Sequence, residues 1–393
     1  MRICIVTTAF PRQREDGQGA FVYGAARALV RSGVAVRVVA MHSPGSLSRE
    51  VMEGIEVRRP RYWWPESAEA LRRGGAGGLP TTWREYPAAR VQVLPFGAAH
   101  TLAAARAARD CDLVHAQWTL SAACALAARP YHRRPVVLTV QGSDILDVPG
   151  HPLGLHLTRG VLAGCRHITA LSAALAQATR DLGVAAERLS VVPNGVDTGR
   201  FIPPEDGRRD DTVLYVGSLI ARKGVRYLLE AMPAVFARHP TLRLAIVGEG
   251  PEEQRLRAQA DALGIAPRVA FLGAQTQGAV RDRMQRARAL VLPSVEEGLG
   301  VVLLEALACG TPIVASNVGG IPDVVTTDVG RLVPPASPAP LAEALDALLS
   351  DPCDWERASL AARRRAVAHY DWTRVAAQLI AVYEGVLRGA TPR

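Results

Sequence analysis

A chain of 393 residues that is 49% hydrophobic and 21% charged is long enough for two domains with substantial cores, and too apolar to be disordered. No run of roughly 18 apolar residues marks a membrane span, and the chain starts at once on the strand-like Arg2-Ile-Cys-Ile-Val-Thr7, with no secretory leader, so a cytoplasmic protein is expected. The net charge of +9 sits wholly in the first half, where 23 Arg face 14 acidic residues up to Val196; beyond it 22 Arg and one Lys balance 23 acids.

That basic half favours an acidic surface or substrate, such as anionic lipid or a phosphorylated acceptor. Paired Cys/His fingers and aromatic RNP strands are missing, so no nucleic-acid partner is expected. The six cysteines, at 4, 111, 124, 165, 309 and 353, lie mostly in apolar contexts without C-x-x-C pairs and read as reduced core thiols.

In chain order, strand Ile3–Thr7, a polar loop with Gly17 and Gly19, helix Ala20–Arg31 and strand Val34–Ala40 form a β-α-β unit. The glycine loop lies at the carboxyl end of the first strand, where ligands of open parallel sheets sit, although Gly17-Gln-Gly19 is also compatible with a plain turn. Val57 to Gly97 is the least regular stretch. It interleaves Arg58, Arg59, Arg61, Arg72, Arg73, Arg84 and Arg90 with Tyr62, Trp63, Trp64, Trp83, Tyr86 and Phe96. Two readings stay open there, a membrane or lipid-acceptor surface and an insertion whose aromatics pack on their own core.

Three β-α units follow: Asp112–Ala116 with Leu120–Arg129, Val136–Val140 with Leu153–Ala163, and His167–Leu171 with Ala173–Leu182. His115, Gln141 and Asp144 stand at their strand ends and are candidates for an acceptor-side site; His115 could equally be a bonded core histidine. Asp110-Cys-Asp112 has the D-x-D form of a metal site. It precedes its strand, so it reads as a solvated lead-in and no metal is expected.

The domain boundary is placed at Pro193-Asn-Gly-Val-Asp197, giving domains 1–193 and 194–371. The second domain repeats the alternation: strand Thr212–Gly217, helix Val225–Arg238, strand Leu242–Val247, helix Glu252–Leu263, strand Arg268–Leu272 and helix Ala279–Ala287. Strand Ala289–Leu292, an acidic glycine loop, helix Val301–Cys309 and strand Ile313–Ala315 complete its central unit. A last amphipathic helix runs from about Asp371 to Leu387. Two open parallel-sheet α/β halves of this kind imply a cleft and an enzyme that joins two substrates.

The chemistry concentrates after residue 290. Gly298 and Gly300 permit close backbone approach where a helix start leaves free N–H groups, which suits phosphate. Glu297 and Glu305 flank that point, and a carboxylate can bind two neighbouring hydroxyls, so the pair suits a molecule with a diol at each end. Lys223, the only lysine, lies at a loop opening a helix, a frequent place for a phosphate ligand.

These motifs resemble family 4 glycosyltransferases of the GT-B fold. The resemblance rests on Pro193-Asn-Gly-Val-Asp197, Tyr215-Val-Gly with Lys223, Val247-Gly-Glu-Gly-Pro251, Phe271-Leu-Gly273, the Glu297 to Glu305 stretch with Ala308-Cys-Gly310, and Phe10-Pro with Gly19-Ala-Phe-Val22. It implies two Rossmann-like domains facing each other across a cleft, with the final segment 372–393 packed back on the first. It further implies retaining, metal-independent transfer of a hexose from a nucleoside diphosphate sugar, with a UDP-sugar as the first expectation and a GDP-sugar as the second. The acceptor would be a glycan or a lipid-linked molecule, and the setting polysaccharide or glycan assembly on the cytoplasmic face of the membrane.

By the same resemblance, Lys223 holds the diphosphate with Arg222, which replaces the arginine that the family often has at Ser218. Glu305 holds the ribose, Glu297 the sugar hydroxyls, and Gly298, Leu299 and Gly300 the phosphate. Gly248 and Gly250, with Phe271 and Leu272, shape the base pocket, and Gly19 reaches the diphosphate. Gln141 stands where many members have histidine; it can hydrogen-bond but cannot act as a base. A GT-B nucleotide-sugar epimerase and a non-catalytic nucleotide-sugar binder are the rival readings.

Overall fold

The computed structural model describes residues 1–13, 16–71, 87–147 and 152–389. The chain divides into two compact units, one formed by Met1–Asn194 together with the chain from Trp372 on, the other by Gly195–Asp371.

The first unit holds strands β1 (Arg2–Thr7), β2 (Ala35–Ala40), β3 (Arg49–Met52), β4 (Ile55–Arg58), β5 (Leu113–Gln117), β6 (Val136–Val140), β7 (His167–Ala170) and β8 (Leu189–Val191). Their order is β3-β4-β2-β1-β5-β6-β7-β8, parallel throughout except for β3 against β4. Ile3, Ile5, Val38, Leu113 and Val137 are buried, as expected of strands covered on both faces and therefore built from continuous apolar runs.

The second unit holds β9 (Thr212–Val216), β10 (Arg243–Val247), β11 (Val269–Phe271), β12 (Ala289–Leu292), β13 (Ile313–Ser316) and β14 (Gly330–Val333), all parallel in the order β11-β10-β9-β12-β13-β14. This is the doubly wound order, and its direction reverses between β9 and β12. The carboxyl ends of those two strands are therefore where a ligand is expected.

The stretch read as irregular contains more structure than its sequence announces. An edge hairpin pairs β3 with β4, and a helix runs Val93–Ala107. Pro95 and Gly97 conceal that helix in the sequence, but Pro95 lies in its first turn, where a backbone N–H has no intrahelical partner to lose. Tyr62, Phe96, Met41 and Leu71 form a small core with Trp63 packed against it, whereas Trp64 is 82% exposed. Arg72, Arg73, the glycines of 74–78, Trp83, Arg84 and Tyr86 lie outside the described residues.

The last helix, Trp372–Arg388, returns to the first unit. Val375, Ala376, Leu379, Tyr383 and Val386 make its buried stripe, at the spacing that puts side chains on one helical face. Gly24 on helix Ala20–Arg31 is what lets it dock, because a β-carbon there would lie 2.5 Å from the Trp372 ring. At the amino ends of the strands, Asp110 pairs with Arg37 (2.6 Å) and Arg2 (2.8 Å), and Asp112 accepts the Arg2 N–H at 2.7 Å. Both acids of the D-x-D triplet thus serve as structural partners of arginine and backbone. Five cysteines are buried thiols; Cys353, contrary to the core reading, is exposed.

Candidate functional site

In the second unit, the loops after β9 and β12 interlock at the point where strand order reverses. The Val295 N–H donates to the Arg222 carbonyl at 2.8 Å. Gly224, at φ 67°, has no room for a side chain, since a β-carbon would lie 2.0 Å from the Pro293 oxygen. This fit carries Lys223 to Glu297: Nζ stands 2.5 Å from Oε2, and the buried Ser294 hydroxyl donates to the same oxygen at 3.3 Å. A third loop fixes the glutamate backbone, with the Gly320 N–H donating to its carbonyl at 3.1 Å and Gly319 pressed against it at φ 52°. Both side chains are largely buried, at 19% and 12% exposure, so their attraction is stronger than at a surface. An ammonium has three donors, and this pair uses one.

Gly300, at φ 82°, caps helix Val301–Ala308 without any side-chain cap bond; the Leu303 N–H donates to the Gly300 carbonyl at 2.9 Å, which leaves the N–H groups of Val301 and Val302 as the ones a helix start offers to a ligand. Gly298 and Gly300 thus lie in the loop that leads into this helix. Leu299 does not offer a side chain to that point; it is buried, and only its backbone can serve a ligand. Glu305, on the same helix, is half-buried. Burial pushes its pKa up to about 7, opposed by the nearby Arg200, whose guanidinium donates to Gln277 at 3.2 Å. Arg200 was not legible as a site residue because it falls in a polar stretch that reads as a linker.

The glycines assigned to the base pocket have an immediate structural reason. A β-carbon on Gly248 (φ 136°) would lie 1.9 Å from the Gly217 oxygen, and one on Gly250 2.3 Å from the Leu219 oxygen. The Leu219 N–H donates to the Glu249 carbonyl at 2.9 Å, while the Ser218 carbonyl accepts from Tyr215 Oη at 3.0 Å. Phe271 is half-buried beneath the Arg257 guanidinium, 4.6 Å from its ring centre. Both backbone groups of Leu272 are engaged, the N–H with Ile246 at 2.9 Å and the carbonyl with Gln275 at 2.7 Å. Arg222 is half-exposed, 4.0 Å from Glu296.

The remaining candidates belong to the first unit. Gly19 (φ 81°) lies so close to the Ala9–Phe10 backbone that a β-carbon would meet it at 2.6 Å; its freedom serves a contact between loops of the chain. Asp144 is not an acceptor-facing acid. Its buried carboxylate accepts N–H groups of Gln141 (2.9 Å), Gly142 (2.9 Å) and Thr119 (3.2 Å), clamping the loop after β6. Burial pushes its pKa up to about 6 against the pull of these donors. His115 is likewise a core residue, with Nε2 2.7 Å from Thr139 Oγ1 and Nδ1 2.7 Å from Tyr383 Oη. Burial pushes its pKa down to about 3, so the ring is neutral. Gln141 is half-buried, its amide 2.6 Å from that of Gln117. Gln117 lies in the strand-end stretch His115-Ala-Gln-Trp118 that the sequence marks without a role for it, whereas Tyr383 has no motif to mark it.

Among the described residues no cluster of His, Cys, Asp or Glu could hold a metal, and no helix is long and apolar enough to cross a membrane.

Comparison with known proteins gives one answer for both units. The profile for Glycosyltransferase Family 4 matches residues 16–200, and that for Glycosyl transferases group 1 matches residues 201–366. Glycogen synthase of Mycobacterium tuberculosis is 30% identical over 425 aligned positions, covering 99% of this chain and 96% of the relative. A phosphatidyl-myo-inositol mannosyltransferase of Mycobacterium leprae is 41% identical over 202 residues, half of this chain and 53% of its own length. Among solved structures, sucrose-phosphate synthase from Thermosynechococcus elongatus superposes with a TM-score of 0.80 at 22% identity, over 99% of this chain and 100% of its own. Anabaena HepE in complex with UDP and glucose gives 0.75 at 20%, over 98% and 100%. With the two-unit α/β fold of these structures and a relative matched from end to end, the chain belongs to the family 4 glycosyltransferases of the GT-B fold.

Proposed function

We propose that the chain moves a hexose from a nucleoside diphosphate sugar, a UDP-sugar first, to a glycan or lipid-linked acceptor, with retention of anomeric configuration and without a metal ion. The observation that carries this reading is the Lys223–Glu297 pair at the strand-order reversal of the second unit, beside the uncapped start of helix Val301–Ala308. Anabaena HepE, a neighbour in fold, was crystallised in complex with UDP, which favours the uridine nucleotide here.

In this reading the bond between the sugar C1 and the diphosphate oxygen breaks, and the pyrophosphate group leaves with added negative charge. Lys223, Arg222 and the first-turn N–H groups stabilise that charge in place, an electrostatic contribution that grows as the site excludes water. Glu297 accepts hydrogen bonds from sugar hydroxyls and Glu305 from the ribose diol. The acceptor oxygen bonds to C1 on the face the phosphate leaves, and its proton passes to the departing phosphate oxygen. Gln141, which cannot be a base, hydrogen-bonds the sugar. The basic first half, with Trp64 exposed, would meet an anionic membrane carrying the acceptor.

Calorimetric binding of UDP, GDP, ADP and TDP, each with magnesium and with chelator, tests the donor site in wild type and Glu305→Ala. Binding of UDP regardless of metal, weakened by the substitution, is the expected result. Binding that requires magnesium, or none of any nucleotide, would overturn the reading.

A further inference from the structure

Gln117 ends β5 and Gln141 follows β6, its neighbour in the sheet, and each is followed by a residue of positive φ, Trp118 at 76° and Gly142 at 124°. For tryptophan this backbone is costly. It is held by the Trp118 N–H bond to the Thr139 carbonyl (3.0 Å) and by Asp144, which ties the next N–H, that of Thr119. The two strained corners set the amides 2.6 Å apart. Behind them runs a line of buried polar atoms: Gln117 Nε2 lies 3.3 Å from His115 Nε2, and His115 Nδ1 2.7 Å from Tyr383 Oη on the last helix.

Counting donors points to one direction for this line. Among the described residues His115 Nδ1 is the one acceptor within reach of the buried Tyr383 hydroxyl, and the hydroxyl proton is satisfied when the neutral ring carries its own proton on Nε2. Thr139 Oγ1, at 2.7 Å, accepts it, and Thr139 donates onward to Thr169 Oγ1 at 2.6 Å. An N–H at Nε2 requires the oxygen of the Gln117 amide to face it. An amide exchanges oxygen and nitrogen by a half-turn at no cost in shape. The bond between the amides runs from the Gln141 NH2 to the Gln117 carbonyl at 2.6 Å; with Gln117 turned, the Gln141 amide must turn with it, whereupon the Gln117 NH2 donates to the Gln141 carbonyl and the NH2 of Gln141 is the end left for a ligand.

We propose that Tyr383, His115 and Gln117 form a positioning chain that holds the Gln141 side chain with its NH2 group toward the sugar, making Gln141 a hydrogen-bond donor in transfer and Gln117 a positioning residue for it. The inference rests on Gln141 contacting the donor sugar, as proposed above. It adds the last helix to the reaction, because the hydroxyl that orients the chain is on that helix.

Two measurements test it. The first is release of UDP from UDP-glucose, or of nucleotide from whichever of UDP-galactose, UDP-N-acetylglucosamine and GDP-mannose the wild type turns over fastest. Gln117→Leu and Tyr383→Phe are expected to lower kcat roughly ten- to a hundredfold with the donor KM within twofold, and Gln117→Leu to cost nothing further in a Gln141→Ala background. Full loss from Gln141→Ala with none from Gln117→Leu, or additive losses in the double variant, would overturn the chain and leave the role of Gln141 standing. Unchanged turnover in Gln141→Ala would overturn that role and this inference with it. The second needs no substrate: long-range proton–nitrogen NMR of the histidine-labelled protein, expected to show His115 protonated at Nε2 with an acceptor-type Nδ1. An Nδ1–H ring would overturn the proposal whatever the kinetics.

Discussion

Lys223 and Glu297 illustrate how one contact serves two ends. Unliganded, each neutralises the other in a mostly buried place; with a diphosphate sugar bound, two further ammonium protons remain for phosphate and the carboxylate is already oriented. Lys223→Ala is therefore expected to cut turnover about a hundredfold or more, far beyond what the fall in Tm from leaving the largely buried Glu297 unpaired would explain, and steady-state kinetics beside a thermal melt would show it. Loss of turnover only in proportion to loss of soluble protein would instead make the pair structural. Glu305 carries a pH signature. Its folded pKa of about 7 lies above the ordinary value of 4.5, so the folded chain holds a proton that the unfolded chain has released. Its contribution to stability is thus full below about 4.5 and is lost as pH rises through 7. Ribose hydroxyls need the ionised form, so UDP affinity should climb between pH 6 and 8, and Glu305→Gln should flatten that slope; an unchanged slope would remove Glu305 from the site. Motif position made these residues legible in the sequence. For Asp144 it misled, and for His115 it left two readings open of which the core one holds, because a polar residue at a strand end faces solvent or core according to what packs over it, here the loop 141–144 and Tyr383.

At the scale of elements, the glycines separate by what surrounds them. Gly248 and Gly33 both have positive φ, at 136° and 82°, yet a β-carbon on Gly248 would strike the Gly217 carbonyl while one on Gly33 meets nothing within 4 Å. Gly33→Ala should cost about 1 kcal/mol from backbone strain alone. Gly248→Ala should cost about 3 kcal/mol or more, since two strand-end loops must part. Urea denaturation of both variants checks this, and equal losses would show that the loops yield freely. Alternating apolar runs announced most of the strands and helices. The hairpin β3–β4 and helix Val93–Ala107 went unread because an edge strand is only half covered and because a proline in a first turn does not break a helix.

For the whole molecule, the first unit is completed only by the end of the chain. Val375, Ala376, Leu379, Tyr383 and Val386 are buried in its core, at about 1.5–3 kcal/mol for each large apolar side chain. Their sum is comparable with the entire stability of a domain. Truncation before Trp372 should abolish the cooperative unfolding of the first unit while the second still melts, as calorimetry would reveal; two intact transitions would show the helix to be dispensable. The uneven charge gives a second expectation. Binding to anionic vesicles should be clear at low salt, weaken as the Debye length shrinks, and fall with Trp64→Ala. No binding at any salt would detach the protein from the membrane.

The sequence by itself determined two parallel α/β units, their boundary region and the residues at the β9 and β12 strand ends, since these depend on local periodicity and on glycines and charges at fixed spacing. Tertiary structure decided which polar groups are spent on the fold. His115 and Asp144 are consumed by bonds to Tyr383 and to loop N–H groups, while Gln117 meets Gln141, and Arg200, from a stretch without a motif, comes near Glu305. A hydrogen bond between residues 268 positions apart, such as Tyr383 to His115, leaves no trace in local spacing. It exists only because burying one face of the last helix brings its hydroxyl to the end of another strand.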